Sequence, residues 1–389
     1  MSEIPRLLYI GDVPVESSYH GSALLYRLLD KYPSDLVSIV EGGIEASLPV
    51  RRLKGVEYSS RLQPARRWLN TRFHRVVASA LTVLAPGRAR TITSGSTAGT
   101  IQAVLTVAHG YSWLTAARFA EQLHLPLHLI VHDDWPHIPR LQKWADRWMK
   151  ERFARTYRQA ASRLCVSPYM EEAYRDEYGI EGKVLLPSRA AGAPCHQAPP
   201  TRPQSRPLTV AFGGTLNTSG HVSSLQLLAE RLAPLGGVLQ VYGPTTQLQA
   251  HKAGLSATNV HFQGLVPSDR FIETVRQSAD ALFVPMSFES QDRRNMSLCF
   301  PSKLTDYTAA ALPLIIHGPN YSSAVRWASD NAGVAEVLTT QDPTEMDIVL
   351  QRIAHSEHRI ALARRAVEVG EAQFSHSVGY RTLLESLCE

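Results

Sequence analysis

The sequence predicts an α/β protein with two Rossmann-like domains that face each other across a cleft. Buried-strand patterns alternate with amphipathic helix patterns through both halves of the chain, which is typical of doubly wound parallel sheets. Residues 189–207 are rich in proline and lack periodicity, so they predict a linker between the halves. The length of 389 residues supports two domains, because a single hydrophobic core stops growing at roughly 250–300 residues. We therefore expect an N-terminal domain at 1–188, a C-terminal domain at 208–370, and a C-terminal helix at 371–389 that can pack back on the N-terminal domain.

Composition and cysteine usage indicate an ordinary globular protein. The chain is 44% hydrophobic and 19% charged, and no stretch approaches the ~20 apolar residues of a membrane span. The N-terminus enters a strand-like run at once, without a secretory apolar region. Cys165, Cys195, Cys299 and Cys388 lie far apart and have no metal-binding or redox spacing. We therefore expect a cytoplasmic protein with reduced thiols, no metal site and no cofactor.

Basic residues are concentrated in the first half of the chain. Residues 51–90 hold ten Lys or Arg against the single acid Glu57, and residues 140–163 hold eight against Asp146 and Glu151. Two solvated helix faces would explain this distribution. The functional alternative is a patch for anionic lipid headgroups, at about 1 kcal/mol per basic residue, on a protein peripheral to the inner membrane face. Nucleic acid is not expected as a partner, because the aromatic interleaving of RNA-binding modules is missing.

In the first half, each predicted strand leads towards a helix. Strands are predicted at 6–11, 36–40, 91–94, 103–108, 127–131, 164–167 and 184–186. Helices are predicted after Gly21, over 61–84 as one helix or a pair, after a turn at 95–100, after Gly110, and over 141–160 and 168–178. The side chains of 61–84 that we expect to face inward are Trp68, Leu69, Val76, Val77 and Leu81.

Histidines and a glycine follow three of these strands. The first strand leads through a loop to His20 and Gly21, and two later consecutive strands run directly into His109 and into His132-Asp133. Ligands of open parallel sheets bind beyond the carboxyl ends of the strands. A lone histidine at a strand end is usually structural, but two at neighbouring strand ends favour a functional role. No GxGxxG motif accompanies them, so no dinucleotide is inferred.

The second half repeats the pattern. Strands are predicted at 208–212, 238–242, 260–262, 281–285 and 314–316. Helices are predicted around 225–232, at 269–279 and 303–311, and over 344–356, 357–370 and 378–387. Gly213 and Gly214 follow the first strand as a tight turn, and a polar loop at 287–299 carries Arg293 and Arg294. We expect this half to bind the nucleotide, because it holds the glycine turn and the helix start described next.

Residues 300–316, FPSKLTDYTAAALPLII, carry most of the functional prediction. Pro301 suits the start of a helix and Ser302 suits its N-cap. The period of the helix predicts burial of the face that carries Leu304, Tyr307, Thr308 and Ala311. Amides at this helix start, together with Lys303, would meet phosphate oxygens, and Asp306 one turn on would accept from a ribose hydroxyl. A surface helix between two strands is the alternative.

This order of elements, with FPSKLTDYTAAALPLII in its place, resembles the retaining family-4 glycosyltransferases of the GT-B fold. The likeness spans most of the chain and is best over 208–340. LTVAFGG is similar to the first strand and glycine turn of the family's donor domain, and VHFQGLVPSDRFIETVRQSADALFVP to a later stretch of it. RLCVSPYMEEAYRDEYGI is similar to the end of the family's acceptor domain.

The resemblance implies transfer of a sugar from a nucleotide-sugar donor, such as a UDP- or GDP-sugar, with retention and without a metal. It implies a glycan or lipid-linked acceptor and a role in cell-surface polysaccharide assembly. It implies that His109 reaches the donor sugar and that His132 and Asp133 build the acceptor side. His20 and Gly21 would lie in the acceptor domain, on a loop that faces the donor phosphates.

Two positions depart from the family's pattern. The family supplies an Arg and a Lys after the glycine turn, where this chain has Gly214 and roughly Ser219. Of two glutamates eight positions apart, Asp306 matches the second, but Leu298 occupies the first. A diphosphate without a cation would be costly, so positive charge must come from elsewhere. The candidate cations are Lys303, Arg293 and Arg294.

We expect Lys303 and His109 to carry catalysis. Lys303, the amides near Ser302 and the Gly213-Gly214 turn would stabilise the leaving diphosphate, and His109 would orient the sugar. No protein nucleophile stands out, which fits attack by the acceptor hydroxyl on the same face. Two other functions stay open: a non-hydrolysing sugar-nucleotide epimerase, which would have a cleft richer in carboxylates, and a non-catalytic nucleotide- or carbohydrate-binding protein, which the missing Arg/Lys pair permits.

Overall fold

The computed structural model describes residues 4–17, 20–63, 66–69, 71–93, 100–201, 206–216 and 218–388. The chain divides into two compact units, each built on its own parallel sheet. Unit 1 comprises residues 1–187 together with 376–389, and unit 2 comprises residues 188–375. The turn predicted at 95–100 falls almost wholly outside the described residues.

Within the described residues, unit 1 contains a seven-stranded sheet. Its strands are β1 (Leu7–Gly11), β2 (Val37–Glu41), β3 (Glu57–Ser60), β4 (Ala103–Val107), β5 (Leu127–Val131), β6 (Ser162–Cys165) and β7 (Lys183–Val184). All paired strands are parallel and lie in the order β3-β2-β1-β4-β5-β6-β7. Every residue of β1, β4 and β5 is buried, as expected for strands covered on both faces.

Helices cover both faces of this sheet. They are α1 (His20–Leu29), α2 (Arg66–Leu69), α3 (His74–Leu84), α4 (Ala89–Thr93), α5 (Ser112–Leu123), α6 (Lys143–Gln159) and α7 (Pro168–Tyr178). Side chains of β1 alternate between two cores, since Tyr9 packs with Leu25 of α1 and Ile10 packs with Phe119 of α5.

Unit 2 repeats this architecture, with a six-stranded sheet among the described residues. Its strands are β8 (Thr209–Gly213), β9 (Val238–Tyr242), β10 (Val260–Gly264), β11 (Ala281–Pro285), β12 (Leu314–His317) and β13 (Ala335–Leu338). They are parallel and lie in the order β10-β9-β8-β11-β12-β13. Phe212, Phe283 and Ile315 of the central strands are fully buried in the core of the unit.

The helices of unit 2 are followed by a last helix that belongs to unit 1. They are α8 (Ser219–Leu232), α9 (Gln247–Lys252), α10 (Ser268–Ser278), α11 (Arg293–Leu298), α12 (Lys303–Ala309), α13 (Ser323–Asp330), α14 (Pro343–Ala354) and α15 (Ser356–Phe374). The last helix, α16 (His376–Leu387), buries Leu383 and Leu387 in the same core as Leu7 of β1. Its His376 ring also lies 3.0 Å from the carbonyl oxygen of Arg27 on α1.

The described part of the Pro-rich stretch lies against unit 2. Arg189 is 3% exposed, and its guanidinium donates to the carbonyl oxygen of Thr305 at 3.0 Å and to Glu371 at 2.8 Å. The amide of His196 donates to the carbonyl oxygen of Ala309 at 2.9 Å. These contacts join the stretch to α12, so residues 188–201 support the helix on which the predicted site depends.

Some elements differ from prediction. The strand predicted at 91–94 is wrong, since α4 covers residues 89–93, and the sequence reading missed the short edge strand β3. The predicted polar loop at 287–299 contains α11. These three misses concern short segments, where the local pattern is weakest.

The orientation of α3 is the clearest disagreement. Trp68 on α2 and Val76 on α3 were predicted to face inward, yet they are 57% and 55% exposed. The residues that α3 buries are instead Ala78, Ser79 and Thr82. A hydrophobic pattern gives the period of a helix, and it does not decide which face meets the core.

Candidate functional site

Both sheets reverse their strand order at one point. In unit 1 this point lies between β1 and β4, and in unit 2 it lies between β8 and β11. Ligands of open parallel sheets bind beyond the carboxyl ends of strands at such a switch point. The loops that follow these four strands are therefore the candidate site of each unit.

In unit 2, two glycines shape the turn after β8. The amide of Gly213 donates to the hydroxyl of Tyr307 on α12 at 2.7 Å. A β-carbon on Gly213 would lie 2.6 Å from Cε2 of Phe271, whose ring stacks on that of Tyr307. Gly214 has a φ of +143°, which side chains of L residues rarely adopt. The turn is thus held against α12 with its backbone bare, so a ligand can approach it closely.

Lys303 lies beside this turn. Its ammonium is 5.3 Å from the centre of the Phe212 ring, and a β-carbon on Gly214 would lie 3.8 Å from its Nζ. Burial lowers the pKa of Lys303 to about 8, and no described carboxylate forms an ion pair with it. A half-buried ammonium in this state is stabilised by an anion that reaches it.

The start of α12 differs in detail from the prediction. Ser302 occupies the N-cap position, but its side chain makes no capping hydrogen bond, because its backbone is already helical with φ −57° and ψ −21°. A serine caps from an extended conformation, so the predicted cap is wrong. Asp306 lies in the first turn of α12 and is half-buried.

A histidine and a carboxylate complete this side of unit 2. Nδ1 of His221, in the first turn of α8, and Oδ2 of Asp292, just before α11, are buried without a hydrogen-bond partner. Burial, and next the positive charge of Lys303, lower the pKa of His221 to about 4, so its ring is neutral near neutral pH. His221 is not among the site residues that the sequence predicts.

The two predicted cations of α11 lie at the surface. Arg293 and Arg294 are both exposed, and the guanidinium of Arg293 lies 4.2 Å from the ring centre of Tyr321. Of the three candidate cations, only Lys303 contacts the glycine turn in this structure.

In unit 1, Asp12 connects the ends of β1 and β4. Its carboxylate accepts from the Ser112 hydroxyl at 2.5 Å, from the Ser112 amide at 3.0 Å, and from the Tyr111 amide. A β-carbon on Gly110 would lie 2.6 Å from that of Asp12, so residue 110 must be glycine. Burial raises the pKa of Asp12, while these hydrogen bonds oppose the rise. Asp12 therefore fixes the start of α5 and the loop that carries His109.

His109 and Asp133 lie together beyond the ends of the neighbouring strands β4 and β5. Nδ1 of His109 lies 3.7 Å from Oδ2 of Asp133, and the His109 ring lies 4.4 Å from that of Trp135. Burial alone would raise the pKa of Asp133, but His109 and then His132 keep it below its ordinary value. The histidine is thus oriented by a carboxylate on one side and an aromatic ring on the other.

His132 is the first residue after β5 and precedes Asp133. Burial lowers its pKa to about 4, so the ring is neutral near neutral pH. A β-carbon on Gly21 would lie 3.6 Å from Nδ1 of His132, which brings the start of α1 against the same loop. His20 begins α1, and its side chain lies outside the described residues.

The described residues offer no ready metal centre and no bilayer-spanning helix. Nowhere among them do three or more His, Cys, Asp or Glu side chains gather closely enough to hold a metal ion. No described helix is both long enough and apolar enough to cross a bilayer.

Comparison with known proteins supports the fold. Residues 100–186, from the loop before β4 to the end of the β7 region, match the sequence family Glycosyltransferase Family 4. No curated protein sequence matches the chain. The structure is similar to Anabaena Alr3699/HepE in complex with UDP and glucose, with a TM-score of 0.69, 13% identity, and coverage of 98% of this chain and 99% of that one.

Two further solved structures have the same architecture. The lipopolysaccharide outer core galactosyltransferase WaaB, in its apo form, has a TM-score of 0.61 and 16% identity, with 98% of each chain covered. The UDP-forming α,α-trehalose-phosphate synthase of Burkholderia vietnamiensis has a TM-score of 0.66 and 12% identity, with 99% of each chain covered. The predicted fold is therefore confirmed: the chain has the GT-B fold of two Rossmann-like domains, and its residues 100–186 match Glycosyltransferase Family 4.

Proposed function

We propose that this protein is a glycosyltransferase that moves a sugar from a nucleotide-sugar donor to a glycan or lipid-linked acceptor, with retention of the anomeric configuration. The observation that carries the proposal is the unpaired Lys303 ammonium beside the Gly213-Gly214 turn, at the switch point of the unit 2 sheet. A cation and a bare backbone at this position suit a diphosphate.

The similar structures favour a uridine nucleotide as the first donor to test. HepE has been solved with UDP, with UDP-glucose, and with UDP and glucose, and the trehalose-phosphate synthase is described as UDP-forming. These ligands belong to those proteins. They support UDP-sugars ahead of GDP-sugars in a donor screen of this chain.

Departure of the nucleoside diphosphate is the difficult step. The bond from the anomeric carbon to the diphosphate oxygen breaks as the acceptor oxygen bonds to the same face of the sugar, and the acceptor proton passes to the leaving diphosphate. Lys303 and the turn amides stabilise the negative charge that develops there. Asp306 accepts from the ribose, and in unit 1 His109, oriented by Asp133, is assigned to the transferred sugar. The reaction requires no metal in this proposal, so added EDTA leaves the rate unchanged.

We assign the enzyme to the cytoplasmic side of the membrane, in cell-surface polysaccharide assembly. The basic first half supports this assignment, since anionic lipids cover the surface at which lipid-linked acceptors are presented. His132 and Gly21 line the loop that we assign to the acceptor.

The experiment compares Lys303→Ala with a matched control, Lys252→Ala, in which an exposed lysine of α9 is removed. Calorimetry with UDP, UDP-glucose and GDP-mannose identifies the donor, and turnover is then followed as release of the nucleoside diphosphate. We expect Lys303→Ala to lower turnover by about a hundredfold or more, the size typical of losing one oxyanion-type donor. Lys252→Ala should leave it unchanged.

Unchanged turnover in a folded Lys303→Ala variant would remove the diphosphate assignment. Conversion of the donor to its epimer without an acceptor would identify an epimerase. Donor binding with no turnover of any kind would indicate a non-catalytic binding protein.

A further inference from the structure

Helix α3 and the residue before it present three large apolar side chains to solvent. Phe73, immediately before the helix, is 45% exposed, Val76 is 55% exposed and Leu84 is 68% exposed. Ala80 is exposed between them. The spacing of three or four residues places these side chains on one stripe of the helix. A soluble protein rarely exposes such a stripe unless something covers it.

The opposite face of α3 is polar and fully satisfied. The Ser79 hydroxyl donates to the carbonyl oxygen of Arg75 at 2.6 Å and accepts from the Gln142 amide at 2.9 Å. The Thr82 hydroxyl donates to the carbonyl oxygen of Ala78 at 2.7 Å. Small side chains and satisfied hydroxyls allow this face to sit close to the chain that enters α6. The helix therefore packs on unit 1 through its polar face, and the described residues of unit 1 leave its apolar stripe exposed.

Aromatic and basic side chains extend the stripe. The Trp68 ring on α2 is 57% exposed and lies 6.4 Å from the ring of Phe73. The Arg72 guanidinium lies 4.9 Å from the centre of the Phe73 ring, and Arg72 and Arg75 are both exposed. Tryptophan and arginine beside a hydrophobic stripe are the side chains that favour the boundary between headgroups and acyl chains.

The basic charge around α2 and α3 indicates which kind of partner covers the apolar stripe. Residues 51–93 contain Glu57 as their single carboxylate, amid ten Lys or Arg. A second copy of the chain, paired across a twofold axis, would set the same basic surface against itself. An anionic bilayer instead offers opposite charge to the arginines and a hydrocarbon boundary to the stripe.

The geometry points to the surface formed by α2 and α3, with its apolar stripe (Phe73, Val76 and Leu84) and its flanking Trp68, Arg72 and Arg75, as the site by which unit 1 docks on an anionic lipid bilayer. Helix α3 lies in the plane of the interface, with the stripe towards the acyl chains and the arginines among the headgroups. This surface lies wholly within unit 1 and does not depend on the assignment of the donor site.

The test is sedimentation of the full chain with vesicles. Phosphatidylcholine vesicles are compared with vesicles of equal parts phosphatidylcholine and phosphatidylglycerol, without nucleotide sugar. One variant, Val76→Glu/Leu84→Glu, removes the apolar stripe, and another, Arg72→Gln/Arg75→Gln, removes the charge. The control is Leu248→Glu on α9 of unit 2, because Leu248 is 65% exposed and so matches Leu84. All substituted side chains are exposed, so the variants should fold, which circular dichroism checks.

We expect the wild-type chain to bind the anionic vesicles and to bind phosphatidylcholine much more weakly. The glutamate pair should lower the partition coefficient by about tenfold or more, and each arginine should account for about fivefold. Leu248→Glu should bind like the wild type. The proposal is overturned by a wild type that ignores anionic vesicles, by a glutamate pair that still binds them fully, or by an equal loss in Leu248→Glu. A dimer that the glutamate pair dissociates without lipid would identify a second copy as the occupant and would overturn it as well.

Discussion

At the scale of single residues, Lys303 is the group whose charge state responds to a bound donor. It sits between the Phe212 ring and the Gly214 turn, and burial lowers its pKa to about 8. A diphosphate beside the ammonium favours the charged form and therefore raises this pKa again. Binding and protonation of Lys303 are thus linked.

We predict that UDP affinity is constant up to about pH 8 and then falls by up to about tenfold per pH unit, because the neutral amine must take up a proton on binding. Calorimetry between about pH 7 and about pH 9.5, in buffers of different ionisation enthalpy, measures both the affinity and the proton uptake. Lys303→Arg keeps its charge throughout this range and should lose the dependence. A flat profile in the wild type would contradict the linkage.

At the scale of elements, α12 is fixed by its neighbours rather than by its own sequence. The helix spans only seven residues, too few to be stable alone. Tyr307 connects it to the turn after β8, Arg189 bonds to the carbonyl oxygen of Thr305, and α15 packs against it at Gly370. The position of Lys303 therefore depends on contacts from three distant parts of the chain.

Gly370 allows α15 to approach α12 closely. A β-carbon at this position would clash with the Thr308 side chain and lie 2.7 Å from Nη2 of Arg189. In an exposed helix, Gly→Ala stabilises by about 1 kcal/mol, but overpacking costs about 1–3 kcal/mol. We predict that Gly370→Ala lowers the free energy of unfolding by about 1–2 kcal/mol in urea denaturation and weakens UDP binding. Gly87→Ala, where a β-carbon meets nothing within 4 Å, should be neutral or stabilising, and equal effects of the two changes would argue against the clash.

The elements also show where sequence reasoning works. Most strands and the long helices were predicted, because fully buried runs such as β4 and amphipathic helices such as α5 have a strong pattern. The burial of Leu304, Tyr307, Thr308 and Ala311 was predicted for the same reason and is confirmed. The orientation of α3 was not predictable, because the Ser79 hydroxyl meets the amide of Gln142, 63 residues further along the chain, only in the folded unit.

The residues of the candidate site were predictable only where a local pattern marks them. Positions directly after strands were recognised, because parallel strands bring their carboxyl ends to one edge, and His109 does meet Asp133 there. Nothing local in the sequence distinguishes Tyr307 from an ordinary core residue or pairs His221 with Lys303. The surface positions of Arg293 and Arg294 likewise depend on the fold of α11.

At the scale of the whole molecule, the last helix of the chain packs in the unit that contains the first strand. Its last helix, α16, belongs to unit 1, where Leu383 is fully buried in the core that contains Leu7 and Leu105 of the two central strands. The hydrophobic core of unit 1 is therefore completed only after unit 2 has been synthesised. The two switch-point sites then depend on cores made from different parts of the chain.

We predict that Leu383→Ala destabilises unit 1 by about 2–5 kcal/mol, the usual range for a buried leucine replaced by alanine. Hydrogen exchange followed by mass spectrometry locates the effect, because peptides from β1 and β4 should lose protection while those from β8 and β11 keep theirs. Leu350→Ala, which removes an equally buried leucine from the core of unit 2, should give the reverse pattern. Loss of protection confined to 376–387 would mean that α16 frays without supporting the sheet. That result would contradict the role of this helix in the core of unit 1, and with it the dependence of the Asp12 and His109 loops on the end of the chain.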